Sequence, residues 1–62
     1  MKKLLLLNIE FNVPMGKIKR ITNYVWAKYK NGKVKISQKN IEDIYYNNFR
    51  KSMPKNTYYT IK

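Results

Sequence analysis

The sequence predicts a small α+β domain, mainly helical, spanning residues 1–62 as one unit. An N-terminal strand, a helix, a short strand and a second helix are expected, followed by a short third helix or strand. Three observations carry this expectation. Apolar and polar residues alternate up to Pro14, apolar residues then recur at helical spacing in two stretches, and a short β-branched run separates those stretches.

Leu4 to Val13 begins as an apolar run and then alternates. Leu7, Ile9, Phe11 and Val13 fall on one side, and Asn8, Glu10 and Asn12 on the other, the signature of a half-buried strand. Pro14 ends the strand and suits the first turn of a helix, where its missing N–H goes unused. From Pro14 to Lys30 the spacing of Ile18, Ile21, Val25 and Tyr29 predicts a helix with one apolar face. Asn31-Gly32 either closes that helix or makes a hairpin turn.

Lys33-Val34-Lys35-Ile36 alternates charged and β-branched residues and is expected to be a strand. Ser37 is a good N-cap, and Ile41, Ile44, Tyr45 and Phe49 predict an amphipathic helix over Gln38–Phe49. The final stretch, Pro54–Lys62, is a strand by propensity and a short helix by position. Tyr45, Phe49 and Tyr58 are expected to pack at helical spacing. Trp26, off the helical stripe, is either a packing edge or a surface contact.

A chain this short buries only about 60% of its unfolded surface, so its stability is marginal. It has no Cys for a disulfide and no His for a zinc site, which leaves oligomerisation as the common remedy. Leu4 to Leu7 are four consecutive apolar residues, half of which a one-sided sheet would expose. A homodimer through this N-terminal strand, or a protein partner covering Leu4–Leu7, is expected. The opening Met1-Lys2-Lys3-Leu4-Leu5-Leu6-Leu7 is similar to the start of a secretory leader, but Asn8, Glu10 and Asn12 interrupt its apolar run. No stretch has the length of a membrane span, so a cytoplasmic location without a membrane partner is expected.

The charge is the strongest functional signal. Fourteen Lys and Arg face three acids, for a formal net charge of +11, and nine aromatic residues are interleaved with them. Such a body repels itself and suits a polyanionic partner, DNA or alternatively RNA. Catalysis is not expected: there is no His or Cys to pair with a nucleophile, no phosphate-binding glycine loop, and no spaced carboxylate pair. No cofactor and no metal is implied.

Residues Lys33 to Lys62 resemble the central part of a winged helix-turn-helix domain. The Ile36-Ser37 opening of the second helix is similar to that family's support helix, and Thr57-Tyr58-Tyr59-Thr60-Ile61-Lys62 to its recognition helix. The resemblance implies a wingless DNA-binding protein acting in transcription or replication control. Lys55, Asn56, Thr57, Tyr59 and Lys62 would face the major groove, while Tyr58 and Ile61 would face the core. Lys17, Arg20, Lys39, Arg50 and Lys51 complete the candidate nucleic-acid-binding set. A second resemblance, carried by Leu7–Pro14, is to ribbon-helix-helix repressors, and it would put Asn8, Glu10 and Asn12 on the DNA. The alternative function is a basic accessory subunit of a polymerase or ribosome that grips nucleic acid by its backbone.

Overall fold

The computed structural model describes residues 3–62, and the fold is dominated by a sheet rather than by helices. Strands take 53% of it, and the described residues hold one α-helix. The elements are β1 (Lys3–Val13), a 3₁₀ turn (Pro14–Gly16), β2 (Lys17–Lys30), β3 (Lys33–Lys35), α1 (Gln38–Phe49) and β4 (Tyr58–Ile61). The four strands form one antiparallel sheet in the order β3-β2-β1-β4, curled into a half-barrel.

The main correction falls on Pro14–Lys30. The expected helix is a three-residue turn followed by a fourteen-residue strand. Met15 and Gly16 both take positive φ, at 71° and 74°, and reverse the chain so that all eleven residues of β1 pair with β2, from Val13↔Lys17 to Lys3↔Ala27. Ile18, Ile21, Thr22 and Val25 are β-branched, and Tyr24, Trp26 and Tyr29 are aromatic, the types that pack best on a pleated surface. Asn31 and Gly32, with φ of 52° and 75°, then make a two-residue hairpin turn between Lys30 and Lys33, rather than a helix end.

The helix Gln38–Phe49 forms as its apolar spacing predicts. Ser37 caps it, its Oγ accepting from the Asn40 N–H at 3.2 Å. Arg50 ends it in the left-handed conformation, its N–H donating to the Tyr46 carbonyl at 2.7 Å.

The core lies between α1 and one face of the sheet. Leu7, Ile9, Phe11 and Val13 of β1 and Val25 and Ala27 of β2 meet Ile41, Ile44 and Tyr45 of the helix. Phe11 is fully buried at its centre, edge-on to Tyr45 and Phe49 with ring centroids 5.1 and 6.1 Å away. Such pairs add about 0.5–1.5 kcal/mol beyond area burial. Lys19 closes this side, with its Nζ 4.8 Å from the centre of the Phe49 ring.

Within Pro54–Lys62 the strand alternative forms and the recognition-helix reading does not, since Tyr58–Ile61 pairs with Ile9–Asn12 as an edge strand. Period two exchanges the expected faces of Tyr58 and Tyr59 and leaves Ile61 inward as expected. Tyr59 and Ile61 point to the core, and the Tyr59 hydroxyl donates to the Ile36 carbonyl at 3.4 Å, joining the two edges of the curl. Tyr58 is exposed, not packed. With a single α-helix among the described residues, neither a helix-turn-helix pair nor a ribbon-helix-helix arrangement is formed. No helix among them is long and apolar enough to cross a membrane.

Candidate nucleic-acid interface on the open face of the sheet

Strand alternation sends every second side chain of β1 and β2 away from the helix, onto a face that no element among the described residues covers. The register arranges this face in rows. Leu4 lies opposite Trp26, Leu6 opposite Tyr24, Asn8 opposite Thr22, Glu10 opposite Arg20 and Asn12 opposite Ile18. The first two rows form an apolar and aromatic band, with Leu4 48%, Leu6 56%, Tyr24 63% and Trp26 55% exposed. Their sequence neighbours Val25 and Ala27 are each 5% exposed. Exposed apolar bands on small proteins are commonly contact surfaces, which makes this one the candidate site.

Lysines continue the band along the hairpin. Lys28 lies opposite Lys35, and Lys30 opposite Lys33. All four are exposed and, by strand alternation, share the face of Trp26 and Tyr24. Like charges directly opposed across a sheet destabilise it, so these two pairs are a local cost that a bound anion would relieve. Trp26, Lys28 and Lys35 also line a groove that runs to Ser37 and Asn40 at the start of α1.

Toward the far end the face turns polar over two rows, whose side chains bond to one another. Thr22 Oγ1 donates to Asn8 Oδ1 at 2.7 Å. The Arg20 Nε donates to Glu10 Oε2 at 2.7 Å, and the Lys62 ammonium stands 3.6 Å from the same oxygen. The Glu10 side chain is only 14% exposed between these cations. The hydrogen bond from Arg20 holds its carboxyl below the usual carboxylate range, against some opposing desolvation and with help from Lys62. Glu10 is therefore neutralised in place and does not reach the lysines of the hairpin.

The sequence-derived candidates separate in space. Arg20 and Lys62 belong to the open face, joined through Glu10. Lys17 is exposed at the start of β2 and Lys39 in the first turn of α1. Arg50 caps the helix, and Lys51, Lys55 and Asn56 are exposed in the loop that leads to β4. Thr57 and Tyr59 turn toward the body of the protein: the Thr57 hydroxyl is buried with no partner among the described residues, and Tyr59 packs against the core. Tyr24, Trp26, Lys28, Lys30, Lys33 and Lys35 were absent from the candidate set. The signal for them was the mirror arrangement Lys28-x-Lys30 and Lys33-x-Lys35 about Asn31-Gly32, visible once that dipeptide is taken as a hairpin turn.

Among the described residues there is no group of three His, Cys, Asp or Glu side chains that could hold a metal. No protein-family model matches this chain, and no curated protein or solved structure shows significant similarity to it.

Proposed function

We propose that this protein binds single-stranded nucleic acid, RNA or DNA, across the open face of its sheet. One observation supports this above the others: the exposed Trp26–Tyr24 pair adjoins two opposed lysine pairs, none of which forms an ion pair among the described residues. Aromatic rings offer stacking surfaces to unpaired bases, and lysines beside them neutralise the phosphates of the same strand. A duplex hides its base faces and would use only the lysines. The overall charge of +11 strengthens attraction to any polyanion.

A sheet face grips a strand by stacking and backbone charge rather than by reading a groove. That suits a basic accessory subunit of a nucleoprotein machine, working in the cytoplasm where such strands occur. The test is a titration with short single-stranded DNA and RNA oligonucleotides, followed by Trp26 fluorescence, beside a duplex of equal length. Single strands should quench Trp26 and bind more tightly than the duplex. The log of the affinity should fall against the log of salt by about 0.7 per phosphate neutralised, or roughly 3 if four lysines each meet one. Absence of binding at low salt, or preference for the duplex, would overturn the proposal.

A further inference from the structure

We infer that two copies of this chain join edge to edge along the Lys3–Leu7 stretch of β1, and that a bound polyanion or salt controls this pairing. β1 pairs with β2 along its whole length but with β4 only over Ile9–Asn12. The Lys62 N–H donates to the Asn8 carbonyl at 2.9 Å, so even-numbered residues of β1 turn their backbone groups toward the β4 side. Beyond the end of β4, the N–H and C=O of Leu4 and Leu6 therefore face outward, with no backbone partner among the described residues.

An unpaired edge is a template for another strand unless charge, proline or a bulge protects it. The two outer strands are protected: β3 is three residues long with two lysines, and β4 is short and followed by Lys62. The free edge of β2 carries Lys17, Lys19 and Arg20, and its uncharged Ile21–Ala27 stretch ends at the groove lined by Ile36, Ser37 and Asn40. Leu4–Leu7 has no charge, no proline and no glycine.

A second copy fits this edge because the edge is complementary to itself. Antiparallel pairing about a two-fold axis at Leu5 sets Leu4 opposite the partner's Leu6, and Leu6 opposite the partner's Leu4. The outward N–H and C=O groups of both residues then meet those of their mates. No charge faces a like charge within the leucine stretch.

The same pairing makes the two open faces continuous. Trp26, Leu4, the partner's Leu6 and the partner's Tyr24 fall in one row, and symmetry supplies a second row. The two β2 strands then stand about 14 Å apart, three strand spacings, with their aromatic pairs on one surface. Five residues from each copy bury less than a stable dimer usually requires, and two bodies of +11 repel each other. The pair is therefore weak in dilute salt, and it strengthens when salt or nucleic acid neutralises the charge. The edge itself does not depend on the proposed function, but control by nucleic acid rests on it.

Sedimentation equilibrium of the whole chain, without nucleic acid, separates the two ideas. At about 0.01 M salt the charges act over roughly 30 Å and the protein should sediment as a monomer. At about 1 M salt the range falls to roughly 3 Å and a dimer should appear. Leu6→Pro removes the outward N–H without touching the ladder to β2, and Leu6→Asn replaces an exposed leucine with a neutral polar residue. Each should raise the dimer dissociation constant at high salt by tenfold or more, and the circular dichroism of Leu6→Asn confirms that the fold survives. A monomer at about 1 M salt and high micromolar concentration, or a Leu6→Asn dimer as strong as the parent, would overturn the inference. A dimer at high salt from a chain that binds no oligonucleotide would leave the edge standing and sink the nucleic-acid proposal alone.

Discussion

The two faces of the β1–β2 hairpin are built from the same strands, yet opposite forces govern them. On the covered face Leu7, Ile9, Phe11, Val25 and Ala27 meet the helix and are removed from water. On the other, Leu4, Leu6, Tyr24 and Trp26 remain in water beside opposed lysines. One face holds the fold together. The other retains exposed apolar surface and like-charge pairs, which are unfavourable in the free protein and which the proposed polyanion with stacking surfaces would relieve. Neighbouring residues such as Val25 and Trp26 should therefore respond to substitution in opposite ways, one through stability and the other through binding.

The largest effect should follow from Phe11→Ala on the covered face. Phe11 is fully buried against Tyr45 and Phe49, so its loss should cost about 3–5 kcal/mol. In a domain this small that leaves little folded protein, and a urea titration monitored by circular dichroism would measure it. Survival with an unchanged midpoint would break the distinction between the faces. Ser37→Ala removes the N-cap of the only α-helix among the described residues, and should lower stability by about 1 kcal/mol in the same assay.

The open face gives smaller effects on stability. Replacing Lys28 and Lys35 together by Gln removes one opposed pair, and should raise stability by a few tenths of a kcal/mol in low salt while weakening oligonucleotide binding. A variant that both binds and melts like the parent would mean that these lysines are merely solvated.

The Glu10 clasp sharpens the comparison through pH. The hydrogen bond from Arg20 lowers the carboxyl's pKa in the folded chain. Its contribution is present above the unfolded-state value, about 4.3, and is lost as pH falls through the lower folded value. The parent's stability should thus be insensitive to this group from neutral pH to about 5, and decline in more acidic solution. In Glu10→Gln that part of the decline should vanish, as paired thermal melts across the acid range would show.

The alternation in Leu7–Val13, the Ser37 cap and the whole of Gln38–Phe49 were legible in the sequence, because each signal fits one structure alone. The second strand was not, and the reason is arithmetic. Ile21, Val25 and Tyr29 are four apart, a spacing that keeps residues on one side of a helix and equally on one face of a strand. Only the step of three from Ile18 to Ile21 separates the two periods, and the strand sends Ile18 to the open face. The partner that decided the matter, β1, lies across a turn that depends on positive φ at Met15, a residue with no special preference for it. Tyr58 and Tyr59 exchanged roles for the same cause, since one residue of difference in period reverses a face. The basic character of the chain was plain from composition, and its concentration around Trp26 became visible only when β2 and β3 paired.

The open face as a nucleic-acid surface is tested most directly through Trp26→Ala, whose side chain is exposed and outside the packed core. Its stability should match the parent's within about 0.5 kcal/mol, as for other surface substitutions. Its affinity for a short single-stranded oligonucleotide, measured by anisotropy of a labelled strand at low salt, should fall by about 1–3 kcal/mol, the stacking of one base. Unchanged affinity in a folded Trp26→Ala protein would contradict the account, because a strand held elsewhere by lysines alone would not register the loss of the ring.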